Sequence, residues 1–485
     1  MKSTKGIQDP CAEYNNHVKD WMKSEAFCTG EAAVKRLDTI LDTGNMSNVL
    51  LPFSKDMEQA QYDFYRAEAE LPGITAQFSK VIVNGLLRKP PVLTIERDLP
   101  NEVLDWVLSE MGGESKSIVD VLFEVLNAEI ETTNNWIGVD YPIVDNPDSL
   151  TQSELDEYKP FVYLVEAGTI INWKLNADTD TLERVIIRTT IEDFSENEYH
   201  PEYLPLLYEH KIDDSGFYII NTYRATSSDS EDFDLIETND QIYFNGERLS
   251  YIPLWPIRGF YKLTTPVLQP IIDKEASLYN KISRRNHLLY GAATYTPVIC
   301  SDMLDEEFDQ IVGAGLGSWL KLRAEDKASV LETPTDALKD MDRAISDGIQ
   351  EIARLGLRML SPETAQSGVA LEIRNASQTA MLGHMNVSIR NIMKRTIAFM
   401  INWRFDLDLE EAEINFNLSD DFNPAPLGAE WLKLMYEWYA SGHIPRSAWI
   451  NLLKQNDLLS SDYDDESGQE EINSDELILS SNEEL

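Results

Sequence analysis

The chain has 485 residues and a formal net charge of −43, from 41 Lys+Arg against 84 Asp+Glu. Hydrophobic residues make up 43% and aromatics 9%, enough for packed cores, which excludes a wholly disordered chain. So acidic a surface also excludes a general nucleic-acid coat, which must neutralise phosphates.

About 150 residues per domain gives about three domains. There is no run of about 18 apolar residues, so no transmembrane helix is expected. The start, MKSTKGIQDPCAEYNNH, has no apolar stretch, so no secretory leader is expected either. The three cysteines (Cys11, Cys28, Cys300) are scattered, which fits a reducing compartment and neither a disulfide framework nor a paired-cysteine zinc site.

The first 130 or so residues read as helices. Residues 9–24 are amphipathic around Tyr14, Val18 and Met22. Residues 30–42 place Ala33, Val34, Leu37, Ile40 and Leu41 at helical spacing, stopped by Gly44. Residues 53–69 follow, with Met57, Ala60, Phe64 and Ala67 on one side. Pro72 and Gly73 break that pattern, and 74–87 forms the next helix, ended by Pro90 and Pro91. Pro100 opens a helix through Val103, Trp106, Val107 and Met111, and Ser117 caps another before the chain turns extended at 136–144.

Residues 136–256 read as β structure. FVYLVEA, TIINWKL, LERVIIRTTI, FYIINTYRA, QIYF and RLSYIPLW are short runs rich in Val, Ile, Tyr and Thr. Asn176–Thr181, Asp213–Gly216 and the pair Asn245-Gly246 supply turns between them. Residues 191–250 hold 15 Asp/Glu against Lys211, Arg224 and Arg248, which reads as a solvated acidic face.

The character changes after Pro266 and Pro270. A helix is expected from about 271 to 290, about 30 Å long. A mixed segment follows: TYTPVIC (294–300), an acidic helix at 302–312, a glycine-rich turn at 313–317, then SWLKL and ASVLE. Pro334 opens a helix to about 360, and 361–368 is a polar break. A single helix of roughly 54 Å is expected over about 369–404. AEINFNL (412–418) reads as a strand, 428–440 and 445–458 as helices, and 461–485 as a disordered acidic tail with ten Asp/Glu and no Lys/Arg.

Catalytic motifs are missing. The six histidines are dispersed, and there is no HExxH, no GxSxG elbow and no Walker loop. Gly313-Ala314-Gly315-Leu316-Gly317 has no Lys-Ser/Thr after it and reads as a turn. No catalytic residue, metal site or cofactor is expected, and the chain is not read as an enzyme.

Charge segregation says more. Between 258 and 290 six basic residues (Arg258, Lys262, Lys274, Lys281, Arg284, Arg285) face two acidic ones, Asp273 and Glu275. At about 100° per residue, Lys274, Lys281 and Arg285 fall within about 40° of one another, beside an apolar stripe of Ile271, Leu278, Ile282 and Leu289. A second island over 374–404 has Arg374, Arg390, Lys394, Arg395 and Arg404 and no Asp or Glu. Such stripes either neutralise acidic neighbours, within or between subunits, or touch a polyanion.

Several local sequences, in their order, resemble the portal proteins of tailed bacteriophages. They are FYRAEAELPGITAQFSKVIVNGLLRKPP (64–91), KPFVYLVEAGTIINWK (159–174), PVLQPIIDKEASLYNKISRRNHLLYGAATYTPVIC (266–300) and the 335–405 stretch with SPETAQSG between two helices. The resemblance implies a mainly helical α+β portal fold. In it, 1–265 form the wing (helical over 1–135, β-rich over 136–256), 266–291 the first stem helix, 292–334 the clip and 335–360 the second stem helix. Residues 361–368 become the tunnel loop, 369–425 the long wing helix and its strand, and 426–460 the crown.

It further implies a homo-dodecameric ring at one capsid vertex of the virion, made in the host cytoplasm, with no membrane partner. Double-stranded DNA would pass the channel in packaging and ejection. The terminase large subunit would dock at the clip, the major capsid protein at the wing, and a tail adaptor beyond. The channel candidates are Lys274, Lys281, Arg284 and Arg285 on the stem, with Ser361, Glu363, Thr364, Gln366 and Ser367 in the tunnel loop. On the residues alone two other classes stay open: an acidic soluble hydrolase using paired carboxylates, and another ring-forming head–tail adaptor.

Overall fold

A computed structural model describes residues 6–41, 50–51, 58–113, 116–142, 158–195, 198–228, 230, 232–293, 296–300, 327–331, 336–360 and 368–418, with isolated positions 436, 446, 450 and 459. The acidic helix at 302–312, the tunnel-loop residues Ser361, Glu363, Thr364, Gln366 and Ser367, nearly all of the crown and the tail lie outside the described residues. What is described is an α+β chain.

Six helices come first: α1 (Ala12–Thr29), α2 (Glu31–Leu41), α3 (Gln59–Ala67), α4 (Ile74–Leu86), α5 (Asn101–Glu110) and α6 (Ile118–Glu131). Their starts follow local chemistry. Ser117 accepts from the Asp120 amide while Asp120 accepts from the Ser117 amide, a reciprocal cap that begins α6 where expected. Helix α6 then buries Val121, Leu122, Val125 and Leu126 at helical spacing. Between α4 and α5 lies a short strand, β1 (Val92–Ile95), which pairs with β14 (Ile414–Asn417) from far along the chain.

The β region forms two sheets and a hairpin. β2 (Trp136–Asp140) lies between β3 (Phe161–Val165) and β11 (Leu254–Pro256), both antiparallel to it. A central strand is covered on both faces, and Trp136, Ile137 and Val139 are buried accordingly. Everything between β3 and β11 is an excursion. It forms a five-stranded antiparallel meander of β4 (Ile170–Leu175), β5 (Leu182–Asp193), β6 (Glu202–Ile212), β7 (Tyr218–Ala225) and β8 (Phe233–Asn239). The hairpin β9 (Tyr243–Phe244) and β10 (Glu247–Arg248) follows. Its turn, Asn245-Gly246, has φ of 50° and 78°, the left-handed pair that a tight hairpin needs.

Two strands of the β region were not expected from the sequence. β6 is the centre of the meander, yet Pro205 and two acidic residues, Glu202 and Glu209, interrupt its pattern. Pro205 stands opposite Thr190 but beyond the last partner on β7, where a missing amide is tolerated. β8 is an edge strand with exposed residues on both faces, so it shows no apolar alternation. RLSYIPLW is two short strands, not one, because β10 and β11 belong to different sheets.

Alternation along β5 sorts the two faces of the meander. Val185 and Ile187 join the main core, while Ile186 meets Ile171 and Leu207 in a small second core under Ile7 and Tyr14. The main core runs from the N-terminal helices through the three-stranded sheet to three later helices: α7 (Gln269–Ala293), α8 (Asp336–Leu360) and α9 (Gly368–Phe405). Between α7 and α8 stand β12 (Thr296–Cys300) and β13 (Lys327–Leu331), an antiparallel pair. The second half of α9 is buried nearly all round at Ile389, Ile392, Met393, Ile397, Met400 and Ile401. No helix among the described residues is long and apolar enough to cross a membrane.

His210 sits inside the meander, its Nδ1 2.6 Å from the Tyr218 hydroxyl. Burial pushes its pKa down to about 4 from an ordinary 6.5. The unfolded chain therefore binds a proton that the folded chain refuses. Stability from this group is complete above about pH 6.5 and is lost as pH falls toward 4. Melting followed across that window should show a His210→Gln variant with a flatter acid limb than the parent chain.

Candidate functional site

The region to which the sequence points is the pair α7 and α8 with the β12–β13 hairpin at its far end. Each helix has 25 residues. By 1.5 Å per residue that is about 37 Å. They run antiparallel side by side. Gly348 of α8 allows the close approach, since a Cβ there would stand 3.2 Å from Leu278 Cδ1.

The root of α7 is fixed by buried polar groups. Glu275 is completely buried. Its carboxylate accepts from the Ile74 and Thr75 amides, each at 2.7 Å, and from the Thr75 hydroxyl. These amides open α4, so an anion caps the exposed donors and the positive end of that helix. A second clamp precedes α7. Asn134 exchanges two hydrogen bonds with the Thr264 backbone, at 2.7 and 2.8 Å. The Thr133 hydroxyl accepts from the Val267 amide at 3.0 Å and donates to the Glu129 carbonyl at 2.9 Å. Thr133 holds a left-handed backbone, φ 69°, which is rare for a β-branched residue and is maintained by these bonds. Beneath it the buried Glu129 carboxylate accepts from the Asn135 amide at 3.0 Å and from Arg258 Nε at 3.4 Å. Burial pushes that carboxyl up, and Arg258 opposes the shift.

The outward face of α7 carries the basic stripe. Lys274 Nζ meets Glu351 of α8 at 2.8 Å, and Arg285 Nε meets Asp342 at 2.8 Å. The Lys274 hydrogen bond and charge hold the Glu351 carboxyl below its usual range, and Lys281 adds to the pull. Two of the four stem candidates therefore have carboxylate partners within the chain, and the stripe is the seam between the two helices. Lys281 is exposed beside that seam. Arg284 turns the other way, toward the Tyr65 hydroxyl on α3. The two acidic residues of this stretch are also engaged: Asp273 with Lys23 at 2.9 Å, and Glu275 as described. Further out, Leu288, Leu289 and Tyr290 are exposed, with Tyr290 packed on Phe64 at 5.7 Å between ring centroids.

The second basic island lies on α9 and folds into its own surroundings. Arg395 pairs with Glu411 at 2.8 Å, Arg390 bonds the Asn417 side chain at 2.9 Å, and the Arg404 guanidinium lies 4.9 Å from the Trp106 ring. His384 is exposed on the same helix. Among the described residues no group of three or more His, Cys, Asp or Glu could hold a metal ion.

Sequence reasoning found the basic stripe and missed both clamps. Glu275 showed only as one of two acids in a basic run. Thr132, Thr133, Asn134 and Asn135 drew no reading; a run of four polar residues after a helix is the one signal available.

Residues 268–404, from the start of α7 nearly to the end of α9, match the model of a family described as a domain of unknown function, DUF4055. No curated protein matches the chain. Among solved structures, the chain is similar to one from the virion of a native gene transfer agent particle, at 11% identity and a TM-score of 0.40, covering 87% of this chain and 99% of that one. It is also similar to one from the neck of an empty gene transfer agent particle, at 10% identity and a TM-score of 0.40, covering 82% of this chain and 93% of that one.

The two kinds of contact made by α7 differ in worth. Glu275→Gln puts a donor against one of the α4 amides and should cost about 1–3 kcal/mol. Lys274→Ala breaks a half-exposed pair and should cost about 1 kcal/mol or less. Denaturant melts measure both, and hydrogen exchange at the Ile74 and Thr75 amides should quicken in the first variant alone.

Proposed function

We propose that this chain is a portal subunit: one of twelve in a ring at a capsid vertex of a tailed-phage-type particle, with double-stranded DNA passing through its centre. One observation carries the reading. Two antiparallel 25-residue helices flank a β-hairpin and lead on to a 38-residue helix, in the order first stem helix, clip, second stem helix, wing helix that the sequence resemblance implies. The clip, around β12–β13, then receives the terminase large subunit, which supplies the energy of translocation. The helical and β-rich parts before α7 form the wing against the major capsid protein, and a tail adaptor follows.

The electrostatics support a conduit. Twelve copies carry roughly 500 negative charges, screened beyond a Debye length of about 8 Å. Such a wall repels DNA only on close approach and keeps it from sticking. DNA in a channel is met through its phosphates, so no recognition helix is needed. Lys281 is exposed beside the α7–α8 seam and is the stem residue best placed to touch phosphate, while Lys274 and Arg285 bind the two helices together.

Electron micrographs of purified protein should show closed rings, mostly twelvefold, with an axial hole, and light scattering should give a matching mass. A stable 55 kDa monomer at micromolar concentration overturns the reading. ATP turnover should be absent, because no phosphate-cradling loop with its lysine occurs in the sequence. Lys281→Glu should impair DNA retention and leave ring yield intact. Lys274→Glu and Arg285→Glu should lower ring yield first, by setting like charges against Glu351 and Asp342.

A further inference from the structure

A cleft of about 1300 Å³ opens between α6, the β2–β3 ladder and the face of the meander that carries Ile187, Tyr208 and Ile220. It is larger than a typical small-molecule pocket of about 300–1,000 Å³. Its walls are aromatic: Phe123 of α6 is half exposed there, opposite Phe161, Tyr163 and Tyr208.

Its rim is acidic and unbalanced. Glu124 is matched by Lys116 at 2.7 Å, and Arg188 gives its guanidinium to the Gln8 carbonyl. Glu131, Glu166 and Glu237 line the cleft with no ion pair among the described residues. Burial, then the charges of Glu25 and Glu166, push the Glu131 carboxyl up to about 7. Carboxylates crowded in this way favour a cation between them.

A separate feature borders the cleft. β8 is the outer strand of the meander, with β7 its one strand partner among the described residues, and its Glu237 and Asn239 belong to the cleft wall. Leu235 and Ile236 of the same strand are each about half exposed, and a bulge opposite Thr222 and Tyr223 disturbs its ladder. The open side of an edge strand offers backbone donors and acceptors to an extended chain.

The three features select one occupant. The acidic rim asks for Lys or Arg, the aromatic wall for a large apolar side chain, and the open edge for an extended backbone. Nucleic acid is repelled by the rim. So is residues 461–485 of the chain itself, with ten Asp/Glu and no Lys/Arg. We propose that this cleft docks an extended segment of another protein in which Lys or Arg alternates with large apolar side chains. The proposal stands on the cleft alone and does not require the ring reading.

The test uses the full chain and a fluorescent, end-blocked heptapeptide of alternating Lys and Phe. Two counterparts replace Lys by Glu or Phe by Ser. Anisotropy at physiological salt should show binding of the Lys/Phe peptide, no binding of the Glu/Phe peptide, and binding at least about tenfold weaker for Lys/Ser. Removing three rim charges together (Glu131→Gln, Glu166→Gln, Glu237→Gln) should weaken the Lys/Phe peptide by about tenfold. Removing three exposed charges elsewhere (Glu102→Gln, Asp340→Asn, Asp347→Asn) should leave it within about twofold. Equal loss in the two triple variants would mean diffuse attraction to an acidic protein and would overturn the proposal. So would absence of binding, or equal binding of the Glu/Phe peptide. A rim variant that changes particle mass in light scattering assigns the cleft to a neighbouring copy and also overturns it.

Discussion

A carboxylate with no access to water ties α7 to the rest of the molecule. Glu275 receives two backbone amides and a hydroxyl from the first turn of α4. An ionised group in such a place is tolerated only when its acceptor sites are filled, and here they are filled by donors that have no partner inside their own helix. The bond is therefore mutual: α4 needs the anion and α7 needs the amides. Around it Ile271, Ile272, Leu278 and Tyr279 of α7 are buried among the N-terminal helices. Burial supplies the bulk of the free energy, and the carboxylate fixes the position along the helix axis that apolar contact alone would leave loose.

Much of the fold could be read from local pattern. Ser117 announced α6 by its cap, Gly73 and Pro72 set the start of α4, and Asn245-Gly246 gave the β9–β10 turn. Helices α7, α8 and α9 fell within a few residues of their expected bounds. What escaped depends on partners distant in sequence. β1 is a four-residue strand that exists because β14 lies against it. β8 is exposed on both faces and has no apolar period to detect. For the candidate site, a helical wheel placed Lys274, Lys281 and Arg285 on one line, but it could not say what that line faces. The answer, Glu351 and Asp342, needs the register of α7 against α8, which is a property of packing.

Acidity in this chain is distributed in an orderly way. On α7 and α9, Lys274, Arg285 and Arg395 each meet a carboxylate at 2.8 Å, and elsewhere Arg97 lies between Asp408 and Glu413, both at 2.9 Å. Exposed pairs of this kind add little stability each. Their effect is to leave the surplus of negative charge on surfaces such as the outer meander, where it opposes contact between sheet edges of separate copies.

The fastening of α7 is uneven along its length, and that has a mechanical result. Its first half is embedded; its second half runs beside α8, with the seam closed at Arg285 and Asp342, and touches α3 through Tyr290 on Phe64 and His287 on Tyr65. Such an arrangement is a lever pivoted at Glu275. A tilt of about 5° at the pivot moves a point 25 to 35 Å away by about 2–3 Å, because displacement grows with arm length. Small shifts at the root thus arrive magnified at the pair β12 and β13, and a load there is shared between Glu275 and the α3 contacts of Tyr290 and His287.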